Sequence, residues 1–222
     1  MSNPSAQLAA HLASSKGLNP TAEWLTKFLS SQRPTTPFQS LVQTASFRLL
    51  ASDITKALSP DACLPTDVSN PHIKQRKLSG PMPLQILGVE DISKSRWEQI
   101  EAIEAIERGE GTRGREIIRV TEDEDTTNEG TTRSKSGTHK LLLQDVQGTR
   151  IYGIECSKVE GIGLNMDVGT KLLLREAIVA RGIVLLDNHC VRLLGGKIEA
   201  YHETWKKNRK TDLKRDIEER GA

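Results

Sequence analysis

Aromatic side chains are scarce in this sequence, 4% of its 222 residues. Proteins that hold single-stranded nucleic acid stack its bases on exposed rings, at about 1–3 kcal/mol per base, so few such platforms are on offer here. Cysteine is scarce as well. Cys63, Cys156 and Cys190 are odd in number and widely spaced, which argues against a disulfide framework and for the reduced, half-buried thiols of an intracellular protein. No apolar run approaches the length needed to cross a bilayer and the N-terminus lacks a signal-peptide core, so no membrane partner is expected. A surplus of one charge is also missing. With 31 Lys and Arg against 29 Asp and Glu, the net charge of +2 sets up no field that draws nucleic acid by itself.

Catalytic signatures are absent too. There is no G-x-S-x-G, no H-E-x-x-H and no P-loop, and the strand-like carboxylates Asp145, Glu155 and Glu176 cannot be paired on pattern alone. No enzyme is expected. Gly109-Glu110-Gly111-Thr112-Arg113-Gly114 matches the dinucleotide fingerprint by letter. That loop works only between a strand and a helix start, where backbone N–H groups meet a pyrophosphate. No βαβ pattern surrounds it, so it reads as a glycine-rich loop and no cofactor is expected. His189, Cys190 and His202 lack the second close pair of ligands that structural zinc requires. His189-Cys190 reads as a partly buried core pair at a strand end, with Asp187-Asn188 as a hairpin turn.

What is present reads first as helix. Trp24, Leu25, Phe28 and Leu29 share one helical face, with Asn19 as N-cap and Pro20 in the first turn. Pro34 and Pro37 break the pattern before Leu41, Val42, Ala45, Phe47, Leu49 and Leu50 predict a second helix, followed by a short piece at residues 53–58. Helices this short are marginal alone and must pack together or onto another element. The division predicted is a helical domain over residues 1–62, a linker over 63–80 rich in Pro, Asp, Ser and Asn, and a β domain over 81–222.

The β domain opens with Leu84-Gln85-Ile86 in a strand entered through prolines. His139 to Asp145 and Arg150 to Glu155 follow as a hairpin around Val146-Gln147-Gly148-Thr149. Leu172 to Leu174, Ile178-Val179, Ile183 to Leu186 and Val191 to Leu194 are short β-rich runs, punctuated by Gly182, Asp187-Asn188 and Gly195-Gly196. They read as the closing strands of a small barrel, a shape more often a binding module than an enzyme. Between the first two strands lies a long insertion, residues 97–137. Trp97, Ile100, Ile103 and Ile106 recur every three residues among glutamates and predict a short acidic helix. A polar run with the acidic stretch Glu122-Asp123-Glu124-Asp125 completes it, and insertions this long are usually functional or disordered. A charged helix over residues 197–220 closes the chain, with Ile198, Tyr201, Trp205, Leu213 and Ile217 on its apolar face. Lys206, Lys207, Arg209 and Lys210 form its basic face, a nucleic-acid patch or simply a solvated surface.

Taken together, Leu84-Gln85-Ile86, Lys140-Leu141-Leu142-Leu143-Gln144-Asp145, Gly169-x-Lys171 and the ending Leu193-Leu194-Gly195-Gly196-Lys197-Ile198-Glu199 resemble the RecQ-mediated genome instability protein 1 family. The order of elements is similar over nearly the whole chain, and its length suits the short fungal members. The resemblance implies a mixed α and β protein. It has an N-terminal helical bundle, a five-stranded OB-fold barrel with the insertion between strands 1 and 2, and a C-terminal helix. It also implies a nuclear, non-catalytic subunit that binds topoisomerase III, a type IA enzyme, and works with a RecQ-type helicase. That assembly dissolves double Holliday junctions and decatenates DNA, with the insertion modulating the topoisomerase gate. On this reading Lys171 helps anchor the partner, and Trp97, Ile100, Ile103 and Ile106 form the insertion's base, or else cap the barrel's own core. DNA would be touched indirectly or weakly. The alternative is an OB-fold protein that binds single-stranded DNA itself, through Lys206, Lys207, Arg209 and Lys210.

Overall fold

In a computed structural model of the chain, residues 4–108 and 137–221 are described. The Gly109–Gly114 motif and the acidic run at residues 122–125 lie outside them. Four helices come first: α1 (Pro4–Lys16), α2 (Ala22–Ser30), α3 (Phe38–Leu50) and α4 (Ile54–Ala57). Leu8 and Leu12 of α1 meet Leu25, Phe28, Val42, Ala45, Leu49 and Ile54 in one buried cluster. The cap of α2 is Thr21 rather than Asn19, and its hydroxyl accepts the Trp24 N–H at 3.1 Å. Pro20 stays outside the helix and bridges to Leu58.

Eight strands make one sheet: β1 (Gln75–Leu78), β2 (Met82–Asp91), β3 (His139–Gln144), β4 (Arg150–Glu155), β5 (Lys171–Leu174), β6 (Ala177–Ala180), β7 (Ile183–Leu186) and β8 (Val191–Gly195). Their order is β1-β6-β7-β4-β3-β2-β5-β8, antiparallel except for the β4–β7 pair. Only four residues separate β7 from β8, although five strand spacings lie between them in the sheet. Flat, those spacings at about 4.8 Å each span roughly 24 Å. The connecting chain reaches only about 17 Å. The sheet therefore curls into a barrel, as an OB fold requires. Leu84, Ile86, Leu141, Leu143, Leu172, Leu174, Val184 and Leu186 fill its inside.

Three sequence readings need correction here. The segment at 63–80 is not a free linker: Leu64 and Val68 are buried in the barrel core, and β1 pairs along β6. Its strand reads Gln-Arg-Lys-Leu, a polar edge with no alternating apolar signal to show it. The sheet has eight strands where the resemblance implied five: β1 adds a polar edge, and positive φ at Glu176, Arg181 and Gly182 bounds β6 as a short strand of its own. Arg181-Gly182 makes a tight hairpin, where both central residues need positive φ. Asp187-Asn188 is a turn without a hairpin, since β8 pairs with β5 and not with β7. There the Asp187 carboxylate accepts the N–H groups of His189 and Cys190 at 2.8 and 2.7 Å. His189 is exposed, and only Cys190 is buried.

Two more helices complete the fold: α5 (Arg96–Glu107) after β2, and α6 (Glu199–Gly221) at the end.

Candidate partner-docking site at the insertion stem

The β2–β3 connection leaves and rejoins the barrel at one closed stem. Ile92 N–H donates to the Thr138 carbonyl at 2.8 Å, and Asp91 stands opposite His139 in the register. The Asp91 carboxylate accepts from Ser93 N–H and Oγ, at 3.0 and 2.5 Å. Burial pulls the Asp91 pKa upward, but these bonds and the nearby His139 and Lys94 hold it below the ordinary carboxylate value. Below it, His139 Nδ1 lies 2.5 Å from Glu155, which also accepts the His139 and Val159 N–H groups. Both side chains are buried. Such a pair is stable only when its hydrogen bonds are complete.

From this stem α5 starts at once. Ser95 and Glu98 form a reciprocal capping box: Ser95 Oγ accepts the Glu98 N–H at 3.1 Å, and Glu98 accepts the Ser95 N–H at 2.7 Å. Buried Gln99 donates its amide to the Asp91 carbonyl at 2.8 Å and so ties the first turn to β2. The helix then lies along α6. Ile100 and Leu213 are its buried apolar residues and those of α6. Lys210 bridges Glu104 and Glu107 at 3.1 and 2.7 Å, Lys214 reaches Glu104 at 3.2 Å, and Arg96 reaches Asp216 at 3.2 Å. The bonds from Lys210 and Lys214 lower the Glu104 pKa, and those from Glu107 and Glu104 raise that of Lys210.

The helix α6 in turn packs on the outer face of β2 and overhangs that of β3 and β4. Trp205 packs over Gly88. Tyr201 donates to the Asp53 carboxylate at 2.8 Å, and Val168 N–H donates to His202 Nδ1 at 3.2 Å. An open cleft of about 740 Å³ remains between helix and strands, with Tyr152, Tyr201 and Trp205 on its walls. OB barrels take oligonucleotides on this strand face. Here part of it is filled by the chain itself.

The residues singled out in the sequence are scattered by the structure. Of the four apolar residues on α5, Ile100 is buried and Ile103 half-buried, while Trp97 is 61% and Ile106 69% exposed. A spacing of three falls short of the 3.6-residue turn, so each step rotates about 60° and the run winds halfway round the helix. One buried stripe cannot hold all four. Lys171 is not on the barrel surface: it is 1% exposed, and its Nζ donates to the Gly169 carbonyl at 2.7 Å. Burial lowers its pKa to about 8, with Asp53 opposing the change. It lies on β5 opposite Gln85, whose side-chain oxygen accepts the Ile54 N–H at 3.0 Å. Lys171 thus belongs to the junction of barrel and helical bundle and cannot itself touch a partner in this conformation.

The basic quartet also divides. Lys206 and Lys207 are exposed. Arg209 turns inward, 5.4 Å from the Trp205 ring centroid, and burial lowers its pKa against the pull of Asp91 and Glu90. Lys210 is committed to α5. The α5–α6 clamp went unread in the sequence, though Glu104 and Glu107 beside Lys210 and Lys214, each pair at helical spacing, carried its signal. Among the described residues no cluster of His, Cys, Asp and Glu is arranged to hold a metal, and no helix is long and apolar enough to cross a membrane.

Comparison with known proteins matches both halves. Residues 64–209 fit the family model described as "RMI1, N-terminal OB-fold domain", and residues 12–57 fit "RMI1, N-terminal helical domain". The RecQ-mediated genome instability protein 1 of Schizosaccharomyces pombe is 31% identical over 197 residues, 82% of this chain and 81% of that protein. The Xenopus laevis protein of the same name is 38% identical over 65 residues, 28% of this chain and 12% of its own. That of Mus musculus is 29% identical over 142 residues, 63% and 21% respectively. With both domains matched in order and a relative aligned along four fifths of either chain, this chain belongs to the RecQ-mediated genome instability protein 1 family.

Proposed function

We propose that this chain is a non-catalytic nuclear subunit that docks on topoisomerase III and modulates its gate through the β2–β3 insertion. With a RecQ-type helicase, the assembly would dissolve double Holliday junctions and decatenate DNA. Family membership supports a role in genome stability linked to RecQ. The observation that carries the finer reading is the mounting of the insertion. Its stem is closed by hydrogen bonds at Asp91, Ile92 and Thr138, and its first helix is clamped on α6. A segment carried on a fixed base can favour one gate conformer of a partner over another. A difference of about 1–3 kcal/mol between the two states shifts their ratio by one to two orders of magnitude.

Exposed Trp97 and Ile106 on α5 are the side chains best placed to contact the partner. Lys171, buried on β5 and bonded to the Gly169 carbonyl, is not among them. Size-exclusion chromatography with topoisomerase III from the same organism should give a stoichiometric complex. Deleting residues 109–136 should leave folding and co-elution intact and lower decatenation. Separate elution at micromolar concentration, or undiminished decatenation, would overturn this reading. Direct single-strand binding as the main activity is disfavoured by α6 lying over the strand face. A steep salt dependence of tight DNA binding by the chain alone would reverse that judgement.

A further inference from the structure

A second groove, of about 650 Å³, lies in the helical bundle between α2, α3 and α4, apart from the insertion stem through which docking on topoisomerase III is proposed. Its floor is aromatic. Trp24 and Phe28 stack with ring centroids 5.3 Å apart and planes 1° from parallel. Phe47 stands on its lip at 76% exposure, more than any other large apolar side chain among the described residues. Leaving such a ring in water is unfavourable, and an exposed apolar patch rimmed by charge is the usual mark of a protein-binding surface.

The rim decides which kind of partner fits. Residues 1–62 contain five Lys and Arg, and three of them, Lys27, Arg48 and Lys56, line this one groove. Arg48 is already oriented, its guanidinium 5.6 Å from the Phe28 centroid and donating to Ser31 Oγ at 2.8 Å. Neither Lys27 nor Lys56 forms an ion pair among the described residues. Two carboxylates share the lining, Glu23 and Asp53. Asp53 is committed elsewhere: one oxygen accepts from Thr55 and the other from Tyr201. An incoming chain therefore meets an apolar floor, with cations that carboxylates of its own would pair.

We infer that this groove docks an acidic amphipathic segment of a partner protein, with apolar anchors laid on Trp24, Phe28 and Phe47 and flanking carboxylates set against Lys27, Arg48 and Lys56. An amphipathic helix in a hydrophobic groove is a common recognition mode.

The full-length chain would be titrated against a fluorescein-labelled amphipathic peptide of Leu, Phe, Asp and Glu, followed by anisotropy. A counterpart with Lys in place of each acid is the control. The expected result is saturable binding of the acidic peptide and none of the basic one. Phe47→Ala and the pair Lys27→Glu with Lys56→Glu should each weaken binding by about tenfold or more, as loss of an anchor does. These side chains are not in the core, and an unchanged Tm would confirm that the variants fold. No binding, equal binding of both peptides, or indifference to these variants would overturn the inference. Two further outcomes would reassign the groove and overturn it equally. One is displacement of the peptide by oligo(dT), which would give it to nucleic acid. The other is displacement as the chain dimerises at rising concentration, which would give it to a second copy.

Discussion

At the scale of single residues, two positions carry consequences out of proportion to their size. Gly137 ends the insertion stem where a Cβ would strike the Asp91 carboxylate and Ser93 Oγ. Neither neighbour can move without breaking the bonds that close the stem. Gly137→Ala should therefore cost roughly 1–3 kcal/mol, the usual penalty for overpacking, measured by urea unfolding. Lys171 is the second. Its pKa falls from 10.5 to about 8 on folding because the ammonium loses water, a difference worth about 3 kcal/mol. Between about pH 8 and 10.5 the unfolded lysine holds a proton that the folded one has released, so stability rises with pH across that window. Below pH 8 the full penalty applies. Comparing the chain with Lys171→Met isolates this contribution. The wild type should gain on the variant by about 3 kcal/mol from pH 8 to 10.5, and parallel pH profiles would refute it. None of this was legible in the sequence. A lysine opening a strand after Gly169-Thr170 reads as an exposed or contact residue, because what buries it comes from α4 and β2, far away along the chain.

At the scale of elements, α5 shows how far local pattern reaches. Ser-x-x-Glu before an apolar run was there to be read as a cap, and the helix starts at that point. Ser95→Ala should cost about 1 kcal/mol of stability. Its four apolar residues, three apart, wind round the helix, and of them only Ile100 is fully buried. The clamp between these helices rests on apolar burial more than on its ion pairs. Lys210 and Lys214 are partly in water, where such pairs contribute about 0–1 kcal/mol each. Leu213→Ala should thus destabilise by roughly 2–5 kcal/mol, whereas Lys210→Ala should lower chemical-denaturation stability by less than about 1 kcal/mol. Similar losses for both would mean that the charges hold the helices together. The hairpin of β3 and β4 was plain in two β-rich runs on either side of the turn residues Gln147-Gly148-Thr149. Strand β1 was invisible because an edge strand needs backbone partners and no apolar face.

At the scale of the whole molecule, bundle and barrel are one folded body. Gln85 of β2 caps the start of α4, Asp145 accepts the Leu64 N–H at 2.9 Å, and Val146 and Leu194 join the helical cluster. Gly196, at positive φ, passes so close to the Leu50 carbonyl that a side chain there has no room. Helical part and barrel thus share one interface along the chain. Urea should unfold the chain in one transition, with far-UV CD and tryptophan fluorescence coinciding, and two resolved transitions would contradict this. The roof formed by α6 has its own consequence for anything that approaches the β2–β4 face. A helix joined to the barrel by a few residues is a permanent intramolecular competitor, at an effective concentration on the order of millimolar. The apparent affinity of a ligand for the uncovered strands falls in proportion to the fraction of molecules in which the helix has lifted. A ligand that binds α6 and barrel together escapes that handicap, so the composite surface is favoured over the bare barrel before any particular contact is made.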